Sequence, residues 1–425
     1  MLTIAREAEP GCGCDSQPAR GKLMPVEIAL HKGLNIARAV PETEFVSLLK
    51  LSGRVLAEDV TAPFPLPPFD NSAMDGYAVR SVDCAGDQPV QLAVTGRVAA
   101  GADAAQQGVV GTGQAFRIFT GAALPPGADA VIMQEHVIRN GDAITISRPV
   151  SAGSNVRWAG EDAKPGSVLV RAGTMLGARE IAAIASVGLM GATVRRKLRV
   201  ALFCTGDELR QPGQKLAPGQ IYNSNRFMML SDLEQSWIDV LDFGAVEDDP
   251  EQLRKTLIEA AQRVDVVVTT GGVSVGDEDH MIDQLQAAGG RIEVMKIAMK
   301  PGKPLAFGQL GDALYIGLPG NPVAAYTTWQ VIGRKIAERC AGMRETTPTL
   351  AEVELDHDTR RSPGRLEYRP AIIVDRPASG RPRVRLLDAS FSAKVSLVCQ
   401  ADGFAILPAQ SRELAAGTMV GFLPL

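Results

Sequence analysis

The sequence predicts a multidomain chain of mixed α/β and β character, organised around one doubly wound α/β domain. Three observations carry that expectation. Between Leu198 and Arg339, short β-branched runs alternate with helical patterns, as in a parallel sheet covered by helices on both faces. Between Gly76 and Ser147, and again from about Thr347, short apolar segments are separated by glycine and proline turns, as in small β modules. The helical character seen from Pro25 returns in Ser151–Lys197, which makes the first β module an insertion in a discontinuous helical linker domain.

Taken in order, residues 1–22 contain Gly11, Gly13, Pro18 and Gly21 and read as a disordered leader. From Pro25, Val26, Ile28, Ala29, Leu30, Leu34 and Ile36 supply the apolar side of a helix. A second helix is expected at Glu42–Leu51, ended by Gly53. Pro63, Pro65, Pro67 and Pro68 mark a rigid extended linker. It delivers the chain to a segment that crowds Asp70, Asn71, Ser72 and Asp75 around Phe69 and Met74. Strands are expected at Tyr77–Arg80, Val90–Val98, Ala115–Phe119, Ala130–His136 and Ala143–Ser147. The loop Asn155–Asp162 carries Arg157, Trp158, Glu161 and Asp162, and a helix should follow at Glu180–Val187.

The α/β domain opens with a strand at Val200–Cys204, leading into Thr205-Gly206-Asp207-Glu208. A helix near Arg226–Gln235, a strand at Val240–Phe243 and a helix at Glu251–Arg263 come next. Val264–Thr270, with four valines and six β-branched residues out of seven, reads as a central parallel strand. It turns on Gly271 and Gly272 into a helix expected from Asp279. Strands near Ile292–Ile297, Leu305–Phe307 and Leu314–Leu318 lead to a long final helix, with Asn321 as N-cap and Pro322 at its first position. Beyond it, strands at Ala351–Leu355, Ala371–Val374, Arg383–Leu387, Phe404–Leu407 and Met419–Leu423 should form a small barrel or sandwich. The expected domains are 1–22, 23–68 with 152–197, 69–151, 198–345 and 346–425.

Composition excludes several function classes. The chain has 425 residues, 45% of them apolar, enough for several cores. With 44 basic and 48 acidic residues it has no global basic field for nucleic acid. The longest apolar run, Ile181–Val194, is too short to span a membrane and fits a buried helix. Six scattered cysteines suggest a reduced, cytoplasmic setting, and Cys12 and Cys14 read as passengers of the leader. No Walker-type loop, dinucleotide fingerprint or HExxH occurs, and the four histidines lack metal spacing. Gly272-Val273-Ser274-Val275-Gly276 has nucleophile-elbow spacing, but no later acid and histidine complete it, which disfavours acyl transfer.

The useful chemistry lies in three strand-end loops: Thr205–Glu208, Thr269–Asp279 and Leu318–Val323. Ligands in open α/β sheets bind outside the carboxyl ends of the strands, so these loops should line one crevice. Its donors would be backbone amides at Gly271 and Gly272, the side chains of Thr205, Ser274 and Asn321, and the helix start at Gly320-Asn321-Pro322. Phosphate or pyrophosphate is the natural ligand. Asp207, Glu208, Asp248, Asp277, Glu278 and Asp279 fall in the same region, and acids beside phosphates call for a cation such as Mg²⁺. Lys296, Lys300 and Lys303 cluster in KIAMKPGKP, where a strand would put Lys296 and Lys300 on one face and offer an oxyanion site. Arg365 has similar status.

Seven segments in order resemble one family. They are PPFDNSAMDGYAV (67–79), RIFTGAALPPGADAVIMQE (117–135), GEDAKPG (160–166), LFCTGDEL (202–209), TTGGVSVGDED (269–279), KPGKPLAFG (300–308) and GLPGNPVA (317–324). The family is the molybdopterin molybdenumtransferases, of the MoeA and gephyrin E-domain type. The resemblance implies four subdomains, with a molybdopterin-binding α/β domain and a C-terminal β barrel. It implies a homodimer whose active site joins the α/β domain of one subunit to the inserted β domain of the other. The implied reaction converts adenylylated molybdopterin and molybdate to molybdenum cofactor and AMP with Mg²⁺. Hand-over from the molybdopterin adenylyltransferase and to molybdoenzyme apoproteins is implied too, with no nucleic acid or membrane partner.

Carried over by position, the family's functional acids fall on Asp75, Asp162, Glu208, Asp248 and Asp279, with Thr120 beside them. Glu208, Asp248 and Asp279 are the candidates for holding the cation. Anion-binding positions match Lys296, Lys300 and Arg365, with Lys303 alongside and Ser392 a looser match. Cys204 stands where the family often has serine, and a buried thiol there acts as a small apolar group. Other readings on the same fold are a non-catalytic molybdopterin-binding scaffold, an adenylyltransferase, or a pterin- or nucleotide-cleaving hydrolase.

Overall fold

The computed structural model describes residues 23–86, 88–273, 280–345, 350–375, 380–387 and 392–425. The chain divides into two compact units, one of residues 58–172 and 178–192, the other of residues up to 57, 173–177 and 193–425. The leader with Cys12 and Cys14 lies outside the described residues.

Helix α1 (Val26–Ile36) follows Pro25 as expected and buries Val26, Ala29 and Gly33. The second expected helix is absent. Residues Thr43–Ser47 form a strand and Leu48–Lys50 a single 3₁₀ turn. Phe45 and Leu49 are 68% and 98% exposed, and Val46 is the buried residue of the strand. With no helical stripe buried, the β-branched pair Thr43 and Val46 favours the extended chain.

In the unit of residues 58–172 and 178–192, six strands form one sheet. They are β1 (Gly76–Val79), β2 (Val90–Val98), β3 (Gln114–Ile118), β4 (Ala130–Met133), β5 (Val137–Asn140) and β6 (Ala143–Ile146), in the order β4-β1-β3-β2-β6-β5. Both faces are covered, and alternation sorts the side chains. Tyr77, Val79, Leu92, Ile132 and Ile144 pack on one side, and Ala78, Val98, Phe116, Ile118 and Val131 on the other. Gly76 is required because a Cβ there would sit 1.8 Å from the Ile132 carbonyl oxygen. Strand β5 was not anticipated, because only a turn at Gly141 separates it from β6. Short antiparallel pairings tie Asn71–Ser72 to Val156–Arg157 and Val60–Thr61 to Val168–Val170. Helix α2 (Ala178–Ser186) buries only Ile184 fully, so the run Ile181–Val194 is not a buried helix: its second half turns and becomes the strand Gly191–Arg195.

The other unit contains the α/β sheet. Its strands are β7 (Leu198–Thr205), β8 (Ile238–Val246), β9 (Val266–Thr270), β10 (Arg291–Lys296), then, past the short β11 (Met299–Lys300), β12 (Pro304–Leu310) and β13 (Ala313–Leu318). The order is β8-β7-β9-β13-β12-β10. The first four strands are parallel, whereas β12 runs antiparallel to both of its neighbours, β13 and β10. The sheet is therefore mixed at one edge. Only Gly311 and Asp312 separate β12 from β13, and a two-residue turn can join only antiparallel neighbours. The central strands are buried on both faces: Val200, Leu202, Val266 and Val268 enter one core, and Ala201, Phe203 and Val267 the other. Helices α3 (Ser224–Leu233), α4 (Pro250–Arg263), α5 (Met281–Ala287), α6 (Pro322–Thr328) and α7 (Arg334–Cys340) complete the domain, with a π turn at Trp329–Gly333 between the last two.

From β14 (Ala351–Leu355) the chain adds β15 (Leu366–Asp375), β16 (Arg383–Leu386), helix α8 (Val395–Gln400), β17 (Gly403–Leu407) and β18 (Met419–Pro424). The order β11-β15-β16-β14-β18-β17, with β15 also paired to β17, closes a five-stranded barrel. Closure removes the free edges that a sandwich would leave. Tyr368 and Phe404 of the barrel share a core with Val323, Trp329 and Phe307 of the α/β domain.

Candidate active site

Three loops at the carboxyl ends of β7, β9 and β13 meet through their backbones. Gly271 donates its N–H to the Leu318 carbonyl at 3.1 Å. A Cβ on Gly271 would fall 2.5 Å from the Thr205 carbonyl oxygen, and one on Gly272 would fall 2.9 Å from Met281 Cβ. Gly320 lies near Gly271: a Cβ there would sit at an ordinary contact distance, 3.8 Å, from the Gly271 Cα. Gly271 and Gly272 are thus needed for close approach, and they hold φ +93° and +66°.

Side chains lock this convergence. Thr205, at the end of β7 and 5% exposed, donates its hydroxyl to Asp248 Oδ1 at 3.0 Å. The Asp248 N–H in turn donates to Asp207 Oδ1 at 3.0 Å. The Glu208 carboxylate lies over Gly206, 2.5–2.9 Å from where a Cβ would be. One residue escaped sequence reasoning: Asn225, at the start of α3, donates Nδ2 to the Gly320 carbonyl at 2.7 Å. The segment Asn223-Ser224-Asn225 ahead of a helix was its only signal, and it pointed no further than capping, which Asn223 performs through Arg226 N. Cys204 is fully buried, and burial pushes its thiol pKa up, as suits a small apolar group.

Asn321 occupies the N-cap position and Pro322 the first turn of α6, but the Asn321 side chain makes no capping bond, contrary to expectation. Helix α5 starts at Met281 rather than at Asp279. Ser274, Asp277, Glu278 and Asp279 lie outside the described residues. No group of three or more His, Cys, Asp or Glu side chains arranged for a metal occurs among the described residues.

The lysine segment departs from the single strand expected of it. Lys296 ends β10 in the α/β sheet, while Lys300 ends β11, which pairs with β15 of the barrel. The two therefore do not share a strand face, because the chain leaves one sheet for the other between them. Lys303 is half-buried, and its carbonyl accepts the Ile297 N–H at 3.0 Å. The Lys300 ammonium lies 3.8 Å from Glu367 Oε1, a carboxylate with no exposed surface. Burial raises the Glu367 pKa, but Arg369, Lys300 and Arg361 outweigh it and hold the carboxyl below its ordinary range. Arg365 is half-buried on the turn before β15, and Ser392 is buried ahead of α8.

In the other unit, Asp75 and Thr120 are brought together across 45 residues of sequence. The Thr120 N–H and hydroxyl both donate to Asp75 Oδ1, at 2.8 and 2.9 Å. Those two bonds, the backbone one first, hold the exposed carboxyl below its ordinary pKa. Asp162 is exposed on its own turn, where its N–H donates to the Leu66 carbonyl at 2.9 Å.

Comparison with known proteins agrees along the chain. Residues 24–188 match the MoeA N-terminal region (domain I and II), residues 201–339 a probable molybdopterin binding domain, and residues 352–425 the MoeA C-terminal region (domain IV). A molybdopterin molybdenumtransferase of Haemophilus influenzae is 36% identical over 385 residues, 90% of this chain and 94% of that protein. One from a Nostoc species is 37% identical over 333 residues, 77% of this chain and 76% of that one. Among solved structures, a molybdopterin biosynthesis moeA protein of Pyrococcus horikoshii OT3 superposes with a TM-score of 0.81 at 29% identity, covering 95% of this chain and 100% of that one.

Proposed function

The chain belongs to the molybdopterin molybdenumtransferase family, and from that premise we propose that it inserts molybdenum into adenylylated molybdopterin, giving molybdenum cofactor and AMP. The observation that carries the proposal is the backbone convergence of Thr205, Gly271, Gly272 and Gly320 beside Asp248. A cradle of close-packed glycines lets main-chain amides reach an anhydride, and the neighbouring carboxylates suit a site where a cation offsets phosphate charge. Water adds to the anhydride phosphorus as its P–O bond breaks, releasing AMP. Two Mo–S bonds then form at the dithiol, whose two protons leave with one molybdate oxygen as water, and molybdenum keeps its oxidation state.

The oxygen donors present, Glu208 and Asp248 with Asp279 next to them in the family pattern, fit Mg²⁺, which takes one or two carboxylates together with phosphate oxygens. When bound, the ion would withdraw charge from the anhydride. Thr205 acts on the carboxylate instead, its hydroxyl fixing Asp248 in place. Lys296, Lys300, Lys303, Arg365 and Ser392 are proposed to receive molybdate, a tetrahedral dianion matched by charged donors. Asp75, Thr120 and Asp162 are proposed to act in the same reaction.

The proposal extends to a homodimer acting in the cytoplasm, receiving substrate from the adenylyltransferase and passing product to molybdoenzyme apoproteins. No helix among the described residues is long and apolar enough to cross a membrane. The four-part domain division with a discontinuous linker domain belongs to the same proposal. The test is AMP release from adenylylated molybdopterin with Mg²⁺, with and without molybdate. Release that depends on molybdate, with product able to reconstitute a molybdenum apoenzyme, supports the proposal. Binding without release would make the protein a scaffold, and release indifferent to molybdate would make it a hydrolase. Asp279→Asn is expected to slow release by about 100-fold, and an unchanged rate would remove Asp279 from the cation site.

A further inference from the structure

We infer that Glu367 is a positioning residue for the oxyanion substrate, holding Lys300 directly and the Arg365 turn through Arg361. The inference rests on the reading of Lys300 and Arg365 as oxyanion-binding residues.

Glu367 stands early in β15 with no exposed surface, and the carboxylate is divided among three cations. Arg361 Nε donates to Oε2 at 2.8 Å, while Arg369 Nε and Nη2 donate to Oε1 at 2.9 and 2.6 Å. The Lys300 ammonium is 3.8 Å from Oε1, beyond hydrogen-bond range, which makes that contact an ion pair. Backbone pairing sets this approach: β11 lies parallel to β15 with Lys300 opposite Glu367, and the Leu366 N–H donates to the Ala298 carbonyl at 2.9 Å.

Arg361 carries the arrangement further. Its side chain is fully buried, and its Nη2 donates to the Arg365 carbonyl at 2.5 Å. Its Nη1 donates to the carbonyls of Pro408 and Ser411. Arg361 thereby pins the turn bearing Arg365 to the barrel wall, and Glu367 pins Arg361.

Three cations around one carboxylate leave two positive charges in excess among the described residues of the cluster. Burying charge without compensation is costly, and a dianion arriving beside Lys300 would supply the missing compensation. Lys300 is the member suited to meet it, with 16% of its side chain exposed against 0% for Arg361 and 7% for Arg369. Its flexible stem would otherwise lose its rotamer freedom only when the anion binds, at the expense of affinity. A fixed partner at 3.8 Å removes much of that loss in advance.

The experiment is AMP release as a function of molybdate for Glu367→Gln, Lys300→Met and the double variant, each checked for folding by circular dichroism. Glu367→Gln is expected to raise half-saturating molybdate about tenfold while the rate at saturation stays within about threefold. Lys300→Met should raise it similarly, and the double variant little further, because both changes break one interaction. A purely structural role would lower the saturating rate and leave the molybdate dependence alone. A folded Glu367→Gln protein with unchanged or tighter molybdate dependence overturns the inference, although the oxyanion reading of Lys300 survives if Lys300→Met still weakens it. If Lys300→Met changes nothing, that reading falls and the inference with it. Should Glu367→Gln fail to fold, Glu367→Asp decides: the shortened carboxylate keeps the charge, a rise of about threefold or more supports positioning, and no rise overturns it.

Discussion

Replacing Gly271 by alanine tests whether close approach of two strand ends, rather than backbone flexibility, is what the glycine supplies. Two effects would act together. The residue holds φ +93°, which an L side chain resists by about 1–3 kcal/mol. The new Cβ would also lie 2.5 Å from the Thr205 carbonyl oxygen and 3.3 Å from Thr205 Cγ2. Because the nearer atom is backbone, relief requires the β7 and β9 loops to separate, an overpacking cost of about 1–3 kcal/mol more. Gly213 in the same unit separates the two effects, since it also holds φ +93° but would have nothing within 4 Å of an added Cβ. Gly213→Ala should therefore carry the conformational cost alone. At roughly 2–4 °C per kcal/mol for a domain of this size, Gly271→Ala should melt about 2–12 °C below Gly213→Ala in differential scanning calorimetry. Opening the loops by a fraction of an ångström should also cut AMP release by about 100-fold, with Gly213→Ala near the parent rate. Equal melting temperatures and equal rates for the two variants would show that the 2.5 Å approach carries no energetic weight.

Other outcomes follow from buried and exposed hydrogen bonds. Tyr315 and Thr269 share a buried hydroxyl pair at 2.9 Å, so Tyr315→Phe should cost about 1–3 kcal/mol in thermal unfolding by orphaning Thr269. Adding Thr269→Val should cost less than the sum of the two single changes, and strict additivity would mean the pair is not coupled. Thr120→Val removes one of two donors to Asp75 and keeps the backbone N–H, the larger contributor. The Asp75 carboxyl should then titrate closer to its ordinary 3.8 but still below it, as read by carbon NMR. A depressed pKa stabilises the fold above the unfolded value and loses that effect as pH falls through the folded value. The part of the stability difference between Thr120→Val and the parent that comes from this carboxyl should accordingly disappear in acid, and an unchanged titration would discount the hydroxyl.

What was legible in the sequence was burial, and what was not was partnership. The run Val264–Thr270 points to a strand covered on both faces, and β9 has that character: Val266 and Val268 enter one core and Val267 the other. The short apolar segments separated by turns in residues 76–147 mark the other sheet, whose side chains are likewise buried on both faces. Residues 43–50 form a strand and a 3₁₀ turn in place of the expected helix, since their large apolar side chains, Phe45 and Leu49, stay exposed and no helical face is buried. The mixed edge of the α/β sheet is not legible in strand composition, which carries no direction; the two-residue turn at Gly311-Asp312 holds that information. Within the site, the glycine loops were visible since glycine at a strand end reports close backbone approach. Asn225 was not, because its bond to Gly320 spans 95 residues and its neighbours spell an ordinary helix start.

The same distinction explains the lysine segment. Lys296 and Lys300 are four residues apart, and a single strand would have aligned them. Instead the chain crosses between two sheets in those four residues, and each lysine inherits the environment of a different one. The two-residue β11 is enough for this because its anchoring is mostly backbone: Ala298 donates to the Met24 carbonyl at 2.7 Å and accepts from Leu366 at 2.9 Å. The barrel is thus built into the lysine segment, supplying Glu367 on the strand that pairs with Lys300 and Arg361 under the turn of Arg365. A charge cluster assembled from residues 300, 361, 367 and 369 cannot be read from a lysine run. Only the pairing of β11 with β15 turns a flexible cation into one whose position is fixed before any ligand arrives.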